Sequence, residues 1–452
     1  MRIVVVGLGV TGDAVVTYAR AAGHDVAVLE DVPDGAEYRE RAERARAAGA
    51  MVIERPDTAD AAARAAAADT VVPSPGVHSD HPAIAAARAA GVPVRSEIDL
   101  AAERLRARPD APRLVAVTGT NGKTTVTTLV AAMATAAAIP NAAAGNIGRP
   151  LLEAVDDGVD VVVAEVSSFQ LEYTTAAFAP DVAVLLNVAE DHLDWHGSID
   201  AYVRAKSRLF EHQGPGATLI VYADDPVAWK LAHDAAARAD RLIVPFSRGA
   251  PLSGGYGVRA GRLVGPDGDV APAPSSGAPH VITNSLAAAA AARAIGVEAL
   301  AIERALRDFA GLAHRVELVG EVSGVQFYND SKATNPHATS SALQGFDHVV
   351  LIAGGRNKDL GLGVLRADAA RLRAVVAIGE AAAEVESTFA GVVPVVRAPS
   401  MRDAVREAAA RARADDAVLL SPGCASFDWY ESYAARGDDF AREVRRLAEA
   451  AT

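Results

Sequence analysis

Short runs of Val, Ile and Leu alternate with longer Ala-rich segments of helical period along most of the chain, and that alternation leaves few folds open. A strand that is apolar at every residue must be covered on both faces, which is what crossover helices do for a parallel sheet. The fold class is therefore α/β, built on mostly parallel sheets. Strands are expected at Ile3–Val6, Val26–Leu29, Met51–Ile53, Thr70–Val72 and Val92–Val94, with helices from about Thr11, Glu37, Thr58, Pro82 and Glu97. Together they make one small doubly wound domain. Pro109 and Pro112 then fall among charges between Arg106 and Arg113, and a fresh apolar run, Leu114–Val117, starts at once, so a boundary is placed near residue 110. Further strands are expected at Val159–Val163, Val182–Leu186 and Leu219–Val221, followed by a Gly/Pro/Ser-rich surface loop from Gly265 to Pro279 and an Ala-rich helix from Asn284. A second break near Gly311 precedes strands at Val325–Tyr328, Val349–Ile352, Val375–Ile378, Val392–Val396 and Val418–Leu420. Three α/β domains follow, at 1–110, 111–311 and 312–452, which suits 452 residues, too many for one core. No fixed-period repeat is visible.

Charge and cysteine content remove several functions. Lys and Arg total 44 against 57 Asp and Glu, a net charge of −13, while half of the residues are hydrophobic. Such a chain can bury a core and is not a disordered one. Without a Lys/Arg block it repels phosphate polymers, so nucleic acid is not an expected partner. Its one cysteine, Cys424, cannot close an internal disulfide, and the chain opens on a strand-like run and not on a basic, apolar export signal. A cytoplasmic protein is expected. The least polar stretch, Thr127 to Gly145, is mostly Ala and Thr and is broken by Pro140, so no membrane span is expected either.

Two glycine-rich turns each follow a strand and open a helix. Gly7-Leu8-Gly9-Val10-Thr11-Gly12, with Glu30 ending the next strand, matches a dinucleotide fingerprint. Glycines there let backbone N–H groups approach a diphosphate, but UDP-sugars carry that group as well as NAD, and a tight turn with no ligand has the same look. Gly119-Thr120-Asn121-Gly122-Lys123-Thr124-Thr125 is sharper. Its amides would wrap phosphates, Lys123 would lie along the β- and γ-phosphates, and the Thr124 hydroxyl would take a magnesium position. The first glycine of the longer phosphate-loop pattern is absent, since Val117 stands there.

Glu165 ends the apolar run Val161-Val162-Val163-Ala164, at the strand end where open α/β sheets bind ligands. A buried carboxylate must be paired or bound to metal, so Glu165 is either a magnesium ligand or half of a structural ion pair. The next such strand runs into Asn187-Val188-Ala189-Glu190-Asp191-His192-Leu193-Asp194, groups that can hold a metal or cap a helix equally well. Spacing alone assigns Lys206 no role beyond a solvated helix lysine. Cys424 sits in a Ser-Pro-Gly-Cys-Ala-Ser turn and is expected to be a packed, non-catalytic thiol.

Taken together these strings resemble the Mur ligases: GLGVTG (7–12), SPGV (74–77), GTNGKTT (119–125), GNIG (145–148), EVSSFQLE (165–172), NVAEDHLD (187–194), AHRVE (313–317), NDSKATN (329–335) and LLSPGCASFD (419–428). The likeness spans all three domains, and NDSKATN is its most diagnostic piece, pointing to the members that add D-glutamate. The resemblance implies an N-terminal Rossmann-like domain for the UDP substrate, a central phosphate-loop ATPase-like domain, and a C-terminal Rossmann-like domain for the amino acid. It implies ATP-driven amide formation in peptidoglycan precursor synthesis, with D-glutamate joined to UDP-N-acetylmuramoyl-L-alanine through an acyl phosphate. An ionised carboxylate is a poor electrophile, and a transferred phosphoryl gives it a leaving group.

By the same resemblance Lys123 and a magnesium held by Thr124 and Glu165 grip the triphosphate, while His192 and a carbamylated Lys206 serve a second magnesium. A lysine must shed its proton to take up carbon dioxide, and His192 must be neutral to bind metal. Adenine and ribose fall to Asn284, Arg315 and Asp330, although Val281 replaces an asparagine familiar in the family. Lys332, Thr334, Lys358, Ser426, Phe427 and Tyr433 fall on the D-glutamate positions, Tyr433 where a phenylalanine is familiar. Lys332 and Lys358 would in isolation pass for surface lysines. The UDP end is assigned to Val10, Thr11, Asp31, Ser74, Gly76 and Asn146, with Pro33 standing where a basic residue is familiar. A monomer is the expectation. The competing functions are a sibling ligase for another amino acid or folate, separable only in the third domain; an NAD-dependent oxidoreductase, which leaves residues 119–125 without a task; and a non-enzymatic nucleotide-binding scaffold, which leaves the acids and imidazole at two strand ends unexplained.

Overall fold

The computed structural model describes residues 1–274 and 278–451. Its first sheet joins β1 (Arg2–Val6), β2 (Asp25–Glu30), β3 (Met51–Glu54) and β4 (Thr70–Pro73), all parallel, in the order β3-β2-β1-β4. Val4 and Val6 face one core with Leu29 and Val71, while Ile3 and Val5 face another, so both faces of β1 are buried. The expected strand Val92–Val94 does not form: Val94 makes only an isolated bridge to Val71. Pro93, in its middle, has no N–H to give a ladder.

The second sheet holds β5 (Arg113–Thr118), β6 (Asn141–Gly145), β7 (Val161–Glu165), β8 (Val182–Leu185), β9 (Thr218–Tyr222) and β10 (Leu242–Phe246), again parallel, in the order β10-β9-β8-β5-β7-β6. Two of these were not foreseen. β6 reads Asn-Ala-Ala-Ala-Gly and is a strand only because β7 pairs with it. β10 carries Pro245, which an edge strand tolerates. Strand order reverses beside β5, and the segments at this switch are residues 119–122 after β5, Glu165 ending β7 and Asn187 after β8.

Next, β11 (Gly257–Arg259), β12 (Arg262–Gly265) and β13 (Gly268–Pro272) form an antiparallel sheet. The stretch expected as a surface loop, Gly265–Pro279, thus begins as a hairpin, with Gly268 at φ +109° directly after its two-residue turn; residues 275–277 of it lie outside the described residues. The helix expected from Asn284 begins earlier and spans Pro279–Ala294.

The last sheet contains β14 (Glu317–Val322), β15 (Val325–Asn329), β16 (Val349–Gly354), β17 (Leu372–Ile378), β18 (Val395–Arg397) and β19 (Ala417–Leu420) in the order β14-β15-β19-β16-β17-β18. All neighbours are parallel except the hairpin β14–β15. Its two-residue turn, Ser323-Gly324, has φ positive at both residues, the twist a tight hairpin favours. β14 escaped notice because it is a half-exposed edge strand, Glu-Leu-Val-Gly-Glu-Val, without a continuous apolar run. Val349, Leu351 and Ala353 face one core while Val350 and Ile352 face the other.

The chain packs as two compact units. One comprises 1–188, 200–272 and 285–307 and contains the first three sheets; the other comprises 189–199, 273–284 and the chain from Asp308 onward, with the last sheet. Within the first unit, the first and second sheets share a continuous core that reaches from Val5 and Val28 to Ala144, Leu185 and Val221.

Candidate functional site

The turn after β5 is built to stay open. Gly122 caps the helix Lys123–Ala136 at φ +89°, and a Cβ on Gly119 would lie 2.8 Å from the Leu186 Cβ. Asn187 pins this loop: its Oδ1 accepts the Asn121 N–H at 2.8 Å, its Nδ2 donates to the Asn121 carbonyl at 3.1 Å, and its own carbonyl accepts the Thr120 N–H at 2.9 Å. Thr120 Oγ1 adds a 3.0 Å bond to the Tyr202 hydroxyl. Lys123 curls back, its Nζ donating to the carbonyls of Gly119 at 2.8 Å and Thr120 at 3.0 Å. An ammonium over the mouth of a loop at a helix N-terminus, with Thr124 and Thr125 in the first turn, is chemistry for a polyphosphate.

Glu165 closes the adjoining strand and is 2% exposed. Its Oε1 accepts from Asn146 Nδ2 at 2.8 Å, while the buried Oε2 has no hydrogen-bond partner. An unpartnered buried carboxylate oxygen is costly unless a cation meets it. Glu165 with the Thr124 hydroxyl therefore fits a divalent ion that takes its remaining oxygens from phosphate and water. Among the described residues there is no cluster of three or more His, Cys, Asp or Glu able to hold a metal unaided. Asn146, expected at the UDP end, gives an Nδ2 hydrogen to Glu165.

Lys206 lies on the helix Ile199–Glu211, 1% exposed, its Nζ 4.6 Å from the Tyr202 ring centroid. It is no solvated helix lysine. His192 belongs to the second unit, at φ +52° before the short helix Leu193–His196. Its Nε2 is 3.5 Å from Asp191 Oδ2. Asp191, almost buried, accepts from Lys358 Nζ at 2.9 Å and Asn335 Nδ2 at 3.1 Å, so Lys358 is an ion-paired lysine and not a surface one.

In the first sheet, Ser74 Oγ donates to the Gly7 carbonyl at 2.8 Å, and a Cβ on Gly12 would sit 2.2 Å from that same oxygen. Glu30 accepts from Leu8 N–H at 2.6 Å and Val32 N–H at 3.0 Å. The acid that a dinucleotide fingerprint directs to ribose is thus bonded to its own backbone, and the Leu8 amide is taken. Val10 and Thr11 begin the helix Val10–Ala21, Gly76 follows Ser74, and Asp31 stands exposed just past β2.

In the second unit, Asp330 follows β15. Burial pushes its carboxyl up to about 7, against the Ser421 hydroxyl that donates to it at 2.7 Å and the Arg315 charge. Asn284 lies on the helix Pro279–Ala294. Lys332 Nζ is 5.0 Å from the centroid of the Tyr433 ring, Ser426 is buried, Phe427 is exposed, and Thr334 immediately precedes Asn335. Cys424 is buried, its thiol pushed up to about 12 by burial, as suits a packed and unreactive side chain.

Arg436 was missed. It is 1% exposed and donates to the carbonyls of Ala425 at 3.1 Å, Cys424 at 3.1 Å and Ser331 at 2.9 Å, and to Ser331 Oγ at 3.0 Å. It thereby joins the loops after β15 and β19 to the C-terminal helix Tyr433–Ala451. Sequence carries one faint signal for it, a cation on the apolar face of an amphipathic helix.

A phosphate loop on a parallel sheet, with an orphaned acid at the next strand end, belongs to enzymes that spend a nucleoside triphosphate. Residues 1–96 match the Mur ligase MurD-like N-terminal domain, 117–292 the Mur ligase middle domain, and 314–424 the Mur ligase glutamate ligase domain. The chain belongs to the Mur ligase family, ATP-dependent amide ligases. Relatives that it matches end to end carry the name UDP-N-acetylmuramoylalanine--D-glutamate ligase: that of Frankia casuarinae is 43% identical over 98% of this chain and 94% of its own length, and that of Streptomyces avermitilis 40% identical over 99% and 98%. Among solved structures, MurF of Acinetobacter baumannii aligns with a TM-score of 0.64 at 19% identity, over 94% of this chain and 90% of its own, and MurC of Thermotoga maritima with 0.59 at 19% over 99% of each. These two share the fold.

Proposed function

We propose that the chain joins D-glutamate to the L-alanyl carboxylate of UDP-N-acetylmuramoyl-L-alanine at the expense of ATP. The observation that carries this is the lysine-bearing loop at 119–125 beside Glu165 with its unpartnered Oε2, in a chain whose whole-length relatives bear that name. In the proposed step the γ-phosphoryl passes from ATP to the alanyl carboxylate, giving ADP and an acyl phosphate. The D-glutamate amine then attacks the carbonyl carbon; a C–N bond forms, phosphate leaves and the amine gives up a proton.

The chain's own part is positioning and charge. Residues 119–125 hold the phosphates, through Lys123 and through loop amides other than those of Thr120 and Asn121, which Asn187 takes. Thr124 and Glu165 would hold magnesium, which when bound neutralises charge between the phosphates. His192 and Lys206, the latter carbamylated, are assigned to a second magnesium; a neutral amine that takes up carbon dioxide and sheds a proton becomes an oxygen ligand. Asn284, Arg315 and Asp330 are assigned to adenosine. Val10, Thr11, Asp31, Ser74, Gly76 and Asn146 are assigned to the UDP end, and Lys332, Thr334, Lys358, Ser426, Phe427 and Tyr433 to D-glutamate. Working domains at 1–110, 111–311 and 312–452, a monomer and a cytoplasmic location complete the assignment. No helix among the described residues is long and apolar enough to cross a membrane.

The test is substrate dependence. ADP release should need UDP-N-acetylmuramoyl-L-alanine, D-glutamate and magnesium together, and release indifferent to D-glutamate would refute the assignment.

A further inference from the structure

His81 stands in the turn after β4, 50 residues beyond Asp31, which follows β2; the order β2-β1-β4 sets the two on either side of β1 and its glycine turn. The two ring nitrogens of His81 have different partners. Nδ1 accepts the Ala83 N–H at 3.2 Å, capping the helix Pro82–Ala89, and Nε2 lies 3.0 Å from Asp31 Oδ2. A nitrogen that accepts a backbone N–H bears no proton, so the proton is on Nε2 and is donated to Asp31. The His81 side chain is 11% exposed, whereas that of Asp31 is 53% exposed. One partner is locked by its surroundings; the other, left alone, would rotate freely in water.

We propose that His81 is a positioning residue for the uridine end of the substrate: it ties down Asp31 Oδ2 and so presents Oδ1 as a fixed acceptor for an N–H or ribose hydroxyl of a uridine nucleotide. This rests on the assignment of Asp31 to that end. The sequence supplies a reason for the device. Pro33 occupies the place two residues after Asp31 where a cation could have steadied the carboxylate, and Glu30, next to it, is spent on the amides of Leu8 and Val32. A histidine from across the crevice takes over the task, and because its second nitrogen is a helix cap the donor comes in one tautomer and one orientation.

The two roles of His81 separate by substitution. Asparagine is among the strongest helix caps but is too short to reach Asp31. In the full-length protein, His81→Asn should raise the KM for UDP-N-acetylmuramoyl-L-alanine by about 10-fold, the loss of one charge-assisted hydrogen bond. The KM values for ATP and D-glutamate and the melting temperature should stay at wild-type levels. Asp31→Ala should do the same, and the double variant should be no worse than Asp31→Ala alone. If Asp31→Ala raises that KM while His81→Asn leaves it unchanged, or if the two effects multiply, the positioning role is wrong although Asp31 keeps its place. If neither variant moves it, the assignment of Asp31 to uridine falls and the proposal with it.

Discussion

Asn187 grips Asn121 from both ends, its Oδ1 accepting the Asn121 N–H at 2.8 Å and its Nδ2 donating to the Asn121 carbonyl at 3.1 Å. The bond pair ties the loop after β5 to the segment after β8 across the point where strand order reverses. On the proposed assignment of this loop to ATP, the clamp orders the loop in advance and so reduces the ordering that binding must supply. Asn187→Ala should raise the KM for ATP by about 10-fold, two modest hydrogen bonds' worth, while the KM for D-glutamate holds. Steady-state kinetics with each substrate varied in turn decides it, and equal rises in both would show general damage instead.

Lys123→Ala should lower kcat by about 100-fold or more, the usual cost of losing a preorganised charge at a site of developing negative charge. Lys123 donates to the carbonyls of Gly119 and Thr120 in its own loop, local bonds whose loss the fold should tolerate, so the far-ultraviolet circular dichroism and melting curve should match wild type. Loss of folding would mean that the lysine holds structure and not phosphate.

Glu97 makes stability depend on pH. It is 1% exposed, its Oε1 accepts the Leu152 N–H at 2.6 Å, and its Oε2 is buried without a partner. Burial, helped by Glu153, pushes the carboxyl up to about 7, above its unfolded value. A raised acid binds its proton more tightly when folded, so this contribution is lost as pH rises from about 4.5 through 7. By linkage the loss approaches ~3 kcal/mol. Glu97→Gln, which copies the protonated shape, should shrink the fall in melting temperature between pH 5 and pH 8; an undiminished fall would show that Glu97 is not its source.

Arg436→Met should strip the guanidinium donor from the carbonyls of Ser331, Cys424 and Ala425, of which, among the described residues, Ala425 alone keeps a second bond, from the Arg356 N–H. The expected cost is about 3 kcal/mol or more, seen as an earlier melting transition. Burial lowers this guanidinium to about 10, still charged at neutral pH, so the loss should be nearly flat between pH 6 and pH 8. A melting curve like that of wild type would show that water replaces the arginine at no cost.

Removal of magnesium by a chelator should abolish ADP release, and Glu165→Ala should raise the magnesium concentration needed for half-maximal rate by about 10-fold or more. An unchanged magnesium requirement would leave Oε2 without its proposed partner.

Much of this was legible before any coordinates. Runs such as Val161–Val163 and Val349–Ile352 are apolar at every position, and only a strand buried on both faces needs that, so the α/β class and the strand that ends in Glu165 followed from the residues. The turn at 119–125 was legible for a related reason: glycine is demanded where Gly119 meets Leu186, and the lysine and threonines follow one another in the chain. Elements whose stability comes from neighbours were not. β6 is asparagine, alanine and glycine, β10 carries a proline at an edge, β14 has glutamate at two of its six positions, and a hairpin was hidden in the Gly/Pro-rich stretch beginning at Gly265.

Local sequence, then, determined where the chain turns, caps and opens a glycine-rich loop into a helix N-terminus, because those properties depend on residues within a few positions of each other. Tertiary structure alone decided which distant groups share a proton or a charge: Asp31 with His81, Asp191 with Lys358, Arg436 with the carbonyls of two loops. Strand order sets those pairings, and strand order is chosen by the burial of whole faces, a sum over many residues that no short segment encodes.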